Sequence, residues 1–143
     1  MRALKYLVMF MALAAGFAGR PAAAQVSDAD QAAIRQVIEA QLQAFQHDDG
    51  PGAYGFATPT IQQKFINADT FMEMVKTGYP AVYRPKSVEF RDLKTDNGVL
   101  IQQVYVVGSD GKPWLALYEM QKQPDGSWKI NGCYLTQPPD QNV

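Results

Sequence analysis

Three turn signals divide the second half of this chain, and they limit its fold more than any other feature. Asp96-Asn97-Gly98, Ser109-Asp110-Gly111-Lys112 and Gln123-Pro124-Asp125-Gly126 each stand between runs rich in Val, Ile, Leu and aromatic residues. Asn-Gly suits the left-handed backbone of a two-residue hairpin turn. Four strands are therefore predicted, at Lys86–Lys94, Val99–Val107, Trp114–Lys122 and Trp128–Thr136. Strands joined by consecutive short turns make an antiparallel meander.

The first half has a different period. Ile34, Val37, Ile38, Leu42 and Phe45 follow the i, i+3, i+4 spacing of one helical stripe. A helix over residues 27–47 follows, capped by Ser27 or Asp28. Asp48-Asp49-Gly50-Pro51-Gly52 stops it. Pro51 opens a short second helix through Phe56, and Thr58-Pro59 repeats the device with Ile61 and Phe65 turned inward. Asn67 or Asp69 caps a fourth helix carrying Phe71, Met74 and Val75, which ends at Gly78. Each proline biases its predecessor toward extended backbone, so Tyr79-Pro80-Ala81-Val82-Tyr83-Arg84-Pro85 reads as an extended crossing segment. Helices first and strands afterwards specify an α+β domain, with the helices on one face of a curved sheet.

The strands are apolar on both faces, whereas a sheet with one wet face alternates more cleanly. The expectation is a homodimer through the outer face, unless tail and loops cover it. Ile130 and Tyr134 are assigned to one face of the last strand, and Cys133 and Leu135 to the other.

Residues 1–24 carry Arg2 and Lys5, then a dozen mostly apolar residues, then Ala22-Ala23-Ala24. That is the pattern of a cleavable signal peptide, too short for a membrane span, with cleavage near Ala24-Gln25. A periplasmic or secreted domain over residues 25–137 and a polar tail over 138–143 are expected. The 143-residue chain has net charge −1, and removing three bases and no acid leaves −4. Its bases are scattered, which argues against nucleic acid as a partner. Cys133 is the single cysteine and His47 the single histidine. One thiol forms no internal disulfide, and without a nearby base it reads as a small buried hydrophobe. His47-Asp48-Asp49 reads as a polar helix terminus, since a metal site needs three or four ligands. The sequence holds no phosphate-cradling glycine loop, no Cys/His metal spacing and no nucleophile elbow. No cofactor or metal is implied.

Six residues are candidates for a ligand site. Tyr79, Tyr83 and Arg84 stand between helices and sheet, where two hydroxyls and a guanidinium can hold a polar or anionic group. Trp114, Tyr118 and Glu119 stand on a central strand. Glu119 shares a face with Leu115 and Leu117; against the helices it is a carboxylate in an apolar cavity, and against water a surface charge.

Ala44-Phe45-Gln46-His47-Asp48-Asp49, the stretch Phe71 to Pro85, and Trp114-Leu115-Ala116-Leu117-Tyr118 resemble a bacterial family of exported domains of unknown function (number 4864). The long first helix, the Asp-rich turn, the short second helix and the terminal meander resemble the nuclear transport factor 2-like fold. The resemblance implies a cone-shaped domain with a pocket between sheet and helices, and no assigned activity. The superfamily includes ketosteroid isomerase, whose chemistry needs an aspartate base with a Tyr and a protonated Asp as donors. Aligned on Asp49, that Tyr falls near Gln41, and the aspartate base has no equivalent. The leading expectation is an exported domain binding a small apolar or amphipathic molecule. An interaction module using the outer sheet face is the alternative, and a lyase or isomerase using Glu119 or His47 a third.

Overall fold

A computed structural model describes residues 26–139. The segment assigned to a signal peptide and residues 140–143 lie outside the described part. Five helices precede four strands. They are α1 (Asp28–Gln46), α2 (Gly50–Gly55), α3 (Pro59–Phe65), α4 (Ala68–Gly78) and α5 (Pro80–Tyr83). The strands are β1 (Pro85–Asp96), β2 (Val99–Gly108), β3 (Pro113–Lys122) and β4 (Trp128–Thr136), in one antiparallel sheet of order β1-β2-β3-β4. This is the α+β class that the order of sequence periods implies.

The first four helices start on side-chain caps. Ser27 Oγ accepts from the Asp30 amide at 3.0 Å, Asp49 Oδ1 from Gly52 at 3.0 Å, Thr58 Oγ1 from Ile61 at 3.3 Å, and Asn67 Oδ1 from Thr70 at 2.8 Å. Each cap satisfies an otherwise orphaned amide and contributes about 1 kcal/mol. The stripe Ile34, Ile38, Leu42 and Phe45 is buried against the sheet. Each of these side chains contributes roughly 1.5–3 kcal/mol by leaving water.

The segment from Tyr79 to Pro85 departs from expectation. It is not extended throughout, because Pro80–Tyr83 forms one helical turn. Pro80 stands at the start of that turn, where its missing N–H and fixed φ are no handicap. The proline rule acts instead on the flanking residues. Tyr79 (φ −134°, ψ 53°) and Arg84 (φ −139°, ψ 73°) each precede a proline, and each lies outside the helix.

Strand pairing separates two faces. Phe90, Val104 and Ala116 are cross-strand neighbours, as are Val106 and Trp114, and all pack toward the helices. The alternate residues Ile101, Tyr105, Leu115 and Leu117 point the other way. Asn97 (φ 52°) and Gly98 (φ 79°) supply the two left-handed residues of the first hairpin. A bulge between Phe90 and Leu93 frees carbonyls of β1, and Gln102 Nε2, buried on β2, donates to Arg91 O at 2.9 Å.

A second bulge changes a face assignment. Glu119 pairs with Gly132 but Met120 pairs with Ile130, leaving Asn131 as the extra residue of β4. The alternation therefore slips by one there. Ile130 joins Cys133 and Leu135 on the helix side, and Tyr134 faces out. Sequence alternation had put Ile130 and Tyr134 together. Beyond the bulge, Phe56–Thr58 runs along the β4 edge, with the Ile130 amide donating to Phe56 O and the Thr58 amide to Ile130 O. Among the described residues, no helix is long and apolar enough to cross a membrane.

Candidate functional site

A cavity of about 180 Å³ lies between the helices and the inner sheet face. α1 lends it Gln41 and Phe45, α3 Ile61, Lys64 and Phe65, and α4 Phe71, Met74 and Val75. The sheet side is Tyr118 on β3 and residues 130–134 of β4. The exposed Lys64 and Tyr134 mark its mouth, and the fully buried Tyr118 its floor.

The walls are placed by short-range chemistry. α3 carries no fully buried residue. It is held by Gln62, whose Nε2 donates to Tyr54 O at 3.0 Å, and by Thr58, whose Oγ1 donates to Asn131 Oδ1 at 2.6 Å. Its far end is strained. Ile66 has φ 75° and ψ −50°, and the Asn67 amide donates to Phe65 O at 2.8 Å across it. That is a γ-turn of the rare, strained hand, centred on a β-branched residue. Ile66 is 80% exposed, so its side chain gains little from burial. We expect Ile66→Gly to raise stability by about 1 kcal/mol, strain relief of about 1–3 exceeding the entropic cost of glycine. Thermal denaturation checks this, and a lower melting temperature contradicts it.

The six sequence candidates divide. Tyr79 and Tyr118 line the cavity. The Tyr79 hydroxyl donates to Cys133 O at 2.8 Å, and burial pushes its phenol up from the usual value. Tyr118 is 1% exposed, and its hydroxyl has no hydrogen-bond partner. The polar group beside it is the Cys133 thiol, a weak donor and acceptor that offers the phenol at most a weak hydrogen bond. Burial drives the Tyr118 phenol well above its ordinary pKa and the Cys133 thiol to about 12. Both groups are neutral at physiological pH, and Cys133 is no thiolate nucleophile.

The other four lie outside the cavity. Trp114 is on the inner sheet face, with the Lys112 ammonium 5.5 Å from its ring. Glu119 is on the outer face, so it is not the carboxylate of an apolar cavity; it accepts from Asn131 Nδ2 at 2.7 Å. Tyr83 and Arg84 turn to the C-terminus of α1. Arg84 Nη1 donates to Phe45 O, Arg84 Nη2 meets Asp48 Oδ2 at 3.1 Å, and the Tyr83 hydroxyl donates to Asp48 Oδ1. The guanidinium adds a second donor to a last-turn carbonyl that also accepts from the Asp48 amide at 3.1 Å. The Tyr83 hydrogen bond, with Arg84 behind it, lowers the Asp48 pKa below its ordinary 3.8. A lowered folded pKa stabilises above the unfolded value, and that stabilisation is lost as pH falls through the folded one. We expect the loss of melting temperature below about pH 4 to be smaller in Asp48→Asn than in wild type. Asparagine tolerates the left-handed backbone at this position (φ 53°). Equal losses in the two proteins contradict the assignment.

Gln41, Lys64 and Phe65 also line the cavity and were not among the sequence candidates. Gln41 had a signal: it is a polar residue inside the apolar spacing of α1, and buried. Its Nε2 donates to Ala53 O at 3.1 Å. Among the described residues, no Asp, Glu or His lines the cavity, and no group of three such side chains or cysteine is placed to hold a metal.

The fold is similar to the crystal structure of an NTF-2 like protein of unknown function from Burkholderia xenovorans LB400. The two share 16% identity over 76% of this chain and 86% of that one, with a TM-score of 0.46. No curated protein matches the sequence. The family model "Domain of unknown function (DUF4864)" matches residues 27–143. The chain belongs to that family.

Proposed function

We propose that this domain binds a small apolar or amphipathic molecule in the cavity between the helices and the sheet. The observation that carries this reading is the Tyr118 hydroxyl, fully buried at the cavity floor with no partner stronger than the Cys133 thiol. A buried unsatisfied polar group costs about 1–3 kcal/mol. A ligand with an apolar body and one acceptor removes that cost. An aromatic and aliphatic lining with few polar groups suits such a molecule. The absence of a carboxylate or imidazole among the described lining residues favours binding over proton transfer.

The test is native mass spectrometry of the protein purified from its own cell envelope. One discrete compound, lost on mild organic extraction, supports the reading. An apo protein that takes up no small amphiphile overturns it. The same purification tests export, which the N-terminal segment motivates. A mature chain beginning near Gln25 in a periplasmic extract supports it, and an intact chain confined to the cytoplasm overturns it.

The outer sheet face favours a second property, a homodimer. On that face Ile101, Tyr105 and Leu117 are half-buried beside Gln103, Glu119 and Arg91, whose guanidinium lies 4.3 Å from the Tyr105 ring, and Tyr134 is 58% exposed. Solvent-facing apolar side chains on a sheet face offer area that a second copy can bury. Leu117→Glu is then expected to convert a dimer to a monomer in light scattering. A wild-type monomer at micromolar concentration overturns the dimer.

A further inference from the structure

We infer that the cavity takes a small arene monocarboxylate bearing a hydroxyl or carbonyl at its far end, with the acid at Lys64 and the polar tip at Tyr118. The inference rests on the cavity being a ligand site, and it names the ligand class. Charge comes first. Lys64 is the only charged side chain lining the cavity among the described residues, and no ion pair engages it. One ammonium balances one negative charge, which fits a carboxylate. A dianionic phosphate monoester leaves a second charge beside Phe65 and Tyr134. Shape comes second. Lys64 is exposed at the mouth and Tyr118 is buried at the floor, so the two polar ends of the ligand are separated by its apolar body. Phe45, Phe65 and Phe71 form the wall between them. Size comes third. A cavity of about 150 Å³ holds benzene; one of about 180 Å³ has room for a single substituted ring.

The experiment is calorimetric titration of the wild type, Lys64→Met and Tyr118→Phe with 4-hydroxybenzoate, benzoate and 4-hydroxybenzyl alcohol. In the wild type, 4-hydroxybenzoate is expected to bind roughly fivefold tighter than the alcohol, as one partly exposed ion pair allows. That preference should vanish in Lys64→Met and shrink in high salt. The preference for 4-hydroxybenzoate over benzoate should vanish in Tyr118→Phe. Equal binding of the acid and the alcohol to wild type overturns the carboxylate assignment and leaves the cavity as a ligand site. Equal binding of 4-hydroxybenzoate and benzoate overturns the role of Tyr118. Binding of none of the three overturns the ligand class, and if native mass spectrometry also finds no bound compound, the cavity reading falls with it.

Discussion

Replacing Phe71 with alanine is expected to cost about 3–5 kcal/mol of folding stability. Phe71 is 5% exposed and meets three other rings: Tyr54 at 5.6 Å, Phe65 at 5.8 Å and Phe45 at 6.3 Å between centroids. Those rings come from α2, α3 and α1, so one side chain of α4 joins four helices. α2 has 6 residues and α3 has 7, and helices that short are not stable alone in water. Their structure depends on this aromatic cluster. A domain with about 5–15 kcal/mol in total then loses a fifth or more of its stability. The urea midpoint should fall with little change in the slope. Phe71→Leu keeps most of the bulk and should cost less than half as much. A loss under about 1 kcal/mol for the alanine variant would show that α4 settles inward and fills the space, contrary to this account. Phe71 also forms a cavity wall, so the alanine variant should lose affinity for any ligand held there.

Tyr118→Phe is expected to move stability and binding in opposite directions. Tyr118 sits in the middle of β3 with its hydroxyl buried and unpartnered. Phenylalanine keeps the ring and removes the unsatisfied group, so the empty protein should gain about 1–2 kcal/mol. In a domain of this size the melting temperature should rise by about 4–8 °C. Affinity for a ligand with an acceptor at its buried end should fall about tenfold, the worth of one well-made buried hydrogen bond. A merely structural tyrosine moves stability alone. A loss of stability in Tyr118→Phe would mean that the hydroxyl has a partner in the folded protein, and would remove the main support for the ligand site.

The elements were largely legible before the structure. β4 spans Trp128–Thr136 as expected, and the other strands differ by one or two residues at their ends. Their turns are set by residues whose backbone preferences are local. The caps at Ser27, Thr58 and Asn67 were legible for the same reason: a hydroxyl or amide just ahead of an apolar stripe has one good use. The helical turn at Pro80–Tyr83 was missed because two prolines suggested extension across the whole segment, while each acts only on the residue before it.

The candidate site was half legible. Tyr79 and Tyr118 are in the cavity, and Tyr83, Arg84, Trp114 and Glu119 are not. Tyr83 and Arg84 share a segment with Tyr79, yet one helical turn swings them toward Asp48 at the end of α1. Glu119 is one residue from Tyr118, and strand alternation puts it on the opposite face. Which face of β3 meets the helices depends on how the whole sheet is packed.

By itself, the sequence determined the class of this protein: helices capped by side chains, then a four-stranded meander, with no metal or phosphate motif. These features depend on residues a few positions apart, and backbone sterics and periodicity make them readable. Tertiary structure decided everything that depends on contacts between distant segments. It turned Tyr83 and Arg84 into a clasp on α1 and put Glu119 on the outer face. The bulge at Asn131 brought Cys133 and Ile130 to the same side as Tyr118. It also gathered Gln41, Lys64, Phe71 and Tyr118 from four elements around one cavity. The polar state of that cavity follows from this gathering, because a hydroxyl lacks a partner only when every surrounding element fails to supply one.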